Sequence, residues 1–370
     1  MLAGNHGPAG PCYDPDVPFR DIVGHRQVLG RLSRALARGA LAPSVIFAGP
    51  AGVGKRLAAI AVAQAFNCSQ LADGRQAAEE GTPPRAEHPS TFPVDACGAC
   101  SACRRIARGS FPDVTLLERP ADRAGISVEQ VRAVTAEVVF RPFEGRRRVV
   151  IIDDAAELNA DAQDALLKSV EEPPPAAVFI LVTAWPDSLR ATIRSRCARL
   201  TFGALQVGEV AEYLVAHRAI EPRQARTVAL MAGGSLGTAI EMADGSFGDE
   251  QALALDLLRR ASRARDAEGR LDCSRLLQPQ DKGPAGRQRD DLAVHLRVLA
   301  SLIRDAAALA SGAPDSALTH PDLAGELRPL AGEFGRARAV RAFQAVERAL
   351  AALESNASPK IVPDWLAFQL

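Results

Sequence analysis

Surplus charge is the first thing this sequence lacks. Lys plus Arg and Asp plus Glu both number 44, so the formal net charge is zero. A bulk basic character therefore cannot hold nucleic acid, and any such surface has to be local. No apolar run approaches about 18 residues, which excludes a membrane-spanning helix. The opening MLAGNHGPAGPCYDPDVP has no basic region followed by an apolar stretch, so no secretory signal is expected and the chain reads as cytoplasmic. Its Gly, Pro and Asp content predicts a loose arm over residues 1–18. An even cysteine count is missing too: Cys12, Cys68, Cys97, Cys100, Cys103, Cys197 and Cys273 make seven. In a chain without a signal, that argues against a disulfide framework.

What is present is enough apolar residue, 47% of 370, for the cores of two or three domains. Short runs rich in Val and Ile alternate with helical patterns as far as about residue 203: SVIFA (44–48), VTLL (114–117), VVII (149–152) and VFILV (178–182). Each is apolar on both faces, the pattern of parallel strands covered by helices. Between them, Leu158, Ala162, Ala165, Leu166 and Val170 share one helix face, and prolines 173–175 stop that helix. From about 205 onward the strands vanish. VGEVAEYLVAHRAI and RAFQAVERALAALE are amphipathic helices, GGSLG (233–237) is a turn or cap, and polar LQPQDKGPAGRQRDD (277–291) predicts a linker. A second stretch of low order is expected over 69–96.

GPAGVGKR (49–56) fits the phosphate-binding pattern G-x-x-x-x-G-K-[ST] at every place but the last. It follows a strand and precedes a helical run, the context in which backbone N–H groups gather round an anion. Gly49, Gly52 and Gly54 shape the loop, and Lys55 reaches terminal phosphates. Arg56 stands where a hydroxyl normally holds magnesium; it has no oxygen to offer and adds positive charge. RRVVIIDD ends a strand in Asp153 and Asp154. The first acid suits magnesium and its water. The second usually polarises the attacking water and is commonly Glu, so Asp154 is one methylene short. Both departures predict a nucleotide fold with impaired hydrolysis.

ACGACSAC gives Cys97, Cys100 and Cys103 the spacing C-x2-C-x2-C, and Cys68 supplies a fourth thiolate across a long gap. Four soft ligands in a reducing compartment suit tetrahedral structural zinc with no open position. His88, inside the gap, is the alternative fourth ligand, and a redox pair is the competing use of such thiols. Cys12 and Cys273 are bystanders in either case.

FRDIVGHRQVLGRL (19–32), GPAGVGKR, the cysteine cluster, DALLKSVEEPPP (164–175) and TIRSRC (192–197) occur in an order that resembles bacterial clamp-loader subunits of the AAA+ family. The likeness is strong over roughly 19–245 and weak beyond. It implies an α/β fold: an AAA+ P-loop domain with a parallel sheet over 19–203, carrying a zinc module inserted at about 68–110. A small helical lid would follow over 204–246, and an all-α collar over 247–370. It implies that Arg196, in Ser195-Arg196-Cys197, acts in trans on a neighbour's ATP, and that Thr183 faces a γ-phosphate. Gly237 falls where motor subunits carry a second sensing arginine. With Arg56 and Asp154, it sets the chain nearer the delta-prime branch than the gamma/tau motors, so working ATP and magnesium binding are not expected. The expected partners are gamma/tau and delta-type subunits and, through the complex, a sliding clamp and primed DNA. An active gamma/tau-like motor is the alternative; a P-loop small-molecule kinase would have no use for the SRC element, the cysteines or the helical end.

Overall fold

The computed structural model describes residues 18–71, 91–120, 125–244, 247–264, 266–278, 285–354 and 357–370. Most of the expected N-terminal arm, with Cys12, lies outside them, as does His88. The chain divides into two compact units, 1–206 and 207–370.

The first unit is built on a parallel sheet of β1 (Ser44–Ala48), β2 (Val114–Leu117), β3 (Arg148–Ile152), β4 (Ala177–Thr183) and β5 (Ala198–Thr201). Their order is β2-β3-β4-β1-β5, so the strand leading into the glycine loop lies between β4 and β5. Alternation along each strand sends side chains to two faces. Val45, Phe47, Val149, Ile151, Ile180 and Val182 join one core with α1 (Arg26–Ala37) and α2 (Lys55–Asn67). Ile46, Val150, Ile152, Phe179 and Leu181 join a second. That second core includes residues of three further helices: Val131, Leu166 and Ile193.

Helix α2 is rich in alanine and buried on most of its circumference, which lets it lie close to the sheet. A short α3 (Ser101–Ala107) starts on Cys100, whose sulfur accepts from the Cys103 N–H. Next, α4 (Val128–Val138) opens on a capping box of Ser127 and Gln130, and α5 (Ala160–Glu171) on Asn159. The last, α6 (Ala191–Arg194), is a single turn.

Two buried side chains hold the approach to β3. Asp113 accepts the N–H groups of Phe143, Glu144 and Gly145, while Asn67 accepts those of Arg146 and Arg147. Burial alone would push the Asp113 carboxyl up, but these donors and Arg148 bring it below the ordinary range.

The second unit is helical: α7 (Val207–Arg218), α8 (Pro222–Met231), α9 (Leu236–Asp244), α10 (Phe247–Arg263), α11 (Ala267–Leu277), α12 (Ala285–Ala310), α13 (Ala324–Glu354) and α14 (Ile361–Ala367). The expected linker over 277–291 is shorter than the sequence suggested. α12 already starts at Ala285, directly after Pro284, because Arg, Gln and Asp are tolerated in a helix once the proline is passed. α13 is two helices meeting at Gly335, where φ is 61°. Leu257, Leu296, Leu299, Leu302, Leu327 and Val346 are buried in this unit's core.

Candidate functional site

Strand ends gather the candidate residues. In a parallel sheet the C-terminal ends of the strands share one edge, where ligands bind such folds. The loop 49–54 leaves β1 there, Asp153 and Asp154 follow β3, Thr183 ends β4 and Glu118 follows β2. The three loop glycines all have positive φ: 150° at Gly49, 69° at Gly52 and 102° at Gly54. Gly49 has a second reason to be glycine. A Cβ there would stand 2.1 Å from the Phe202 carbonyl oxygen, just beyond β5. Its N–H donates to the Thr183 carbonyl at 3.2 Å, so the loop's first residue is clamped between two strand ends. His25 Nε2 lies 2.8 Å from the Val53 carbonyl, and since a carbonyl only accepts, that nitrogen carries the proton.

Lys55 is only 6% exposed. Its Nζ donates to the loop carbonyls of Gly49 (2.7 Å) and Pro50 (2.5 Å). Burial lowers its pKa to about 8, against the pull of Asp153 and Asp154. The Asp154 carboxyl is raised by burial and by the neighbouring Glu157 and Asp153. Asp154 also has φ 51°, an uncommon value for a residue with a side chain. Thr183 is buried, and its Oγ1 accepts the Trp185 N–H at 3.0 Å.

Arg56 departs from the loop pattern, and its geometry is specific. Its Nη1 donates to Asp153 Oδ2 at 3.1 Å and to Glu118 Oε1. Glu118 has no place in the sequence reading. The one available signal is an acid directly after the strand VTLL, at the same sheet edge.

The SRC element lies elsewhere. Arg196 precedes β5, which pairs in parallel with β1 so that Ala198 is level with Val45 and Thr201 with Ala48. Arg196 therefore sits at the N-terminal edge of the sheet. It lies in the turn before β5, its N–H donating to the Ile193 carbonyl, and four residues of strand rise, ~13 Å, separate the level of Ala198 from that of Gly49. It is half exposed; its Nε lies 2.6 Å from Glu171 Oε1, and its Nη1 donates to the Thr192 carbonyl at 3.0 Å. Glu171, within DALLKSVEEPPP, is a second residue that motif reading leaves without a role. Gly237 is a buried residue of α9, in the other unit.

The four cysteines meet at the far end of α2. The sulfurs of Cys68, Cys97, Cys100 and Cys103 all lie within 4.8 Å of one another. Two of the pairs are 3.9 and 4.0 Å apart. Metal–sulfur bonds of about 2.3 Å in a tetrahedron give edges of about 3.8 Å, so the cluster can hold one ion. The N–H groups of Cys100 and Cys103 point at the sulfurs of Cys97 and Cys100, which favours thiolates. A hydrogen bond from Cys103 pulls the Cys68 thiol down to about 4 against its burial, and the same contact pushes Cys103 up. Helix α2 thus carries the glycine loop at its start and Cys68 just past its end. Gln64 of that helix donates to the Cys103 carbonyl. Cys197 and Cys273 are buried apart from the cluster. No helix among the described residues is long and apolar enough to cross a membrane.

Residues 24–206 match the family described as "DNA polymerase III, delta subunit". The chain is 33% identical to DNA polymerase III subunit tau of Escherichia coli over 231 residues, 61% of this chain and 32% of that protein. It is 35% identical to DNA polymerase III subunit delta' of Pseudomonas aeruginosa over 192 residues, 52% of each chain. It thus spans about a third of the tau relative and about half of the delta' relative. A gamma-subunit-related protein of Thermotoga maritima superposes with a TM-score of 0.42 at 16% identity, covering 92% of this chain and 98% of that one.

Proposed function

We propose that this chain, whose residues 24–206 match the DNA polymerase III delta-subunit family model, serves in a DNA polymerase III clamp loader as a delta-prime-like subunit. In this role it is an AAA+ scaffold that does not hydrolyse ATP itself and lends Arg196 to a neighbouring subunit's ATP. The observation that carries the reading is the polarity of the sheet. Arg196 and the chain's own phosphate loop lie at opposite edges of the sheet, and Arg196 pairs with Glu171 and the Thr192 carbonyl rather than with the loop. A guanidinium stabilises charge developing on a transferring phosphoryl group, and it can do so for a nucleotide bound elsewhere. Glu171 and the Thr192 carbonyl hold it in one orientation, which reduces the ordering cost of that contact.

The loss of hydrolysis rests on Arg56, on Asp154 and on Gly237. We assign the four-cysteine centre to structural zinc. Four thiolates fill a tetrahedron, leaving no coordination position for substrate, and brace the end of α2. The partners proposed are gamma/tau and delta-type subunits, with the sliding clamp and primed DNA engaged through the complex.

Arg196→Ala tests the role in the reconstituted complex. ATP turnover at the site Arg196 faces is expected to fall by about a thousandfold, read as a loss in DNA-stimulated turnover, while the complex still co-elutes. Arg196→Lys should not rescue it, because an ammonium lacks the planar fork. Unchanged turnover by the assembled Arg196→Ala complex would remove the arginine from the mechanism.

A further inference from the structure

The last residue of the glycine loop supports the furthest step. In loops of this pattern that residue gives a hydroxyl to magnesium, and the acid at the facing strand end helps to hold the ion. The groups present here do not fit a divalent cation. Arg56 has donors only, so no ligand comes from the loop side. On the strand side, Asp153 Oδ2 accepts from the Arg56 guanidinium at 3.1 Å, and the same nitrogen contacts Glu118 Oε1. Lys55, the other loop cation, is turned to the carbonyls of Gly49 and Pro50. Arg56 thus pairs directly with the Asp153 carboxylate.

We propose that Arg56 is a built-in counter-cation. Its guanidinium takes the electrostatic place of magnesium between the start of α2 and the ends of β2 and β3, and keeps divalent metal out of this site. The inference deepens the scaffold role and rests on its reading of residues 49–56 as a phosphate loop. A metal ion entering here meets a fixed positive charge and an occupied carboxylate oxygen, and would have to displace the guanidinium from both acids. The pairing is half exposed, with side-chain exposures of 45% for Arg56, 45% for Glu118 and 23% for Asp153. Pairs of that exposure add little to stability, so their consequence is sought in metal selectivity.

The test uses the isolated full chain, so that failure of the arginine-finger role leaves it untouched. Arg56→Thr and Arg56→Ser return the hydroxyl and free Asp153. A fluorescent ATP analogue is titrated into wild type and each variant, once with Mg2+ and once with EDTA. Wild type should bind equally in both to within about twofold, undetectable binding in both included. The Thr and Ser variants should bind at least about tenfold tighter with Mg2+, as expected when a metal ligand and its supporting carboxylate are restored. Arg56→Lys, which keeps the charge without a hydroxyl, should behave as wild type. Binding by wild type that is tenfold tighter with Mg2+ overturns the proposal. So does a folded Thr or Ser variant, checked by circular dichroism, that shows no Mg2+ dependence. Should neither variant fold, the wild-type and Arg56→Lys titrations still decide, because Mg2+-dependent binding in either defeats the exclusion.

Discussion

Lys55 is a charged side chain held almost out of water, and that has a cost that depends on pH. Its folded pKa of about 8 lies below the ordinary 10.5, with burial as the leading cause. Below pH 8 the ammonium persists in both folded and unfolded chains, and the burial penalty is fully present. Between about 8 and 10.5 the folded chain gives up its proton while the unfolded chain keeps it, so this residue's contribution to stability rises with pH. The difference amounts to about 3 kcal/mol at most. Wild type should therefore gain stability relative to Lys55→Met as pH is raised from 7 to 10, measured by urea unfolding. Parallel curves for the two proteins would show that Lys55 does not carry this linkage. Gly49 makes a different point at the same scale. Its lack of a side chain is required by the Phe202 carbonyl whether or not phosphate ever binds, so a glycine there reports the fold before it reports the ligand.

At the scale of elements, the cysteine centre is the place where a single replacement separates two readings of the sequence. Cys68 reaches the cluster because α2 ends at Asn67, and the following turn delivers the sulfur to within 4.0 Å of Cys100. Zinc content by elemental analysis is expected at about one per chain. It should fall sharply in Cys68→Ser and stay unchanged in His88→Ala. The reverse result would move the fourth ligand into the gap.

Three of the strands, β1, β3 and β4, were legible as continuous apolar runs buried on both faces. β2, an edge strand with one buried residue, Leu117, was legible from the run VTLL alone. β5, the other edge strand, was not, because Ala198, Arg199 and Thr201 face solvent and leave no apolar run to detect. Helix α5 was legible from the spacing of Ala162, Ala165, Leu166 and Val170 and from the prolines after it, although Leu158, counted with them, lies in extended backbone before the Asn159 cap. The first turns of α12 were not, since polar residues after a Pro-Gly stretch resemble a linker until packing selects the helix. At the edge of the glycine loop, the loop and the paired aspartates could be read locally. The contact of Arg56 with Glu118 could not, because 62 residues separate them and no periodicity links them.

On the scale of the whole molecule, each compact unit has its own core and one of the two tryptophans, Trp185 in the first and Trp365 in the second. Trp365→Phe and Trp185→Phe chains therefore report the units one at a time. A strong zinc chelator should lower the unfolding midpoint followed through Trp185 by about 10 °C or more, and leave that of Trp365 within error. Equal shifts would mean that the two units unfold as one. The sheet itself has a direction. The edge that carries the glycine loop and the edge next to Arg196 are opposite ends of the same parallel strands. Subunits joined through such edges form a head-to-tail series, in which each contact pairs unlike surfaces. In the proposed role this chain can donate in that series but not receive, so it stands as a terminus: the series of working ATP sites ends at its loop.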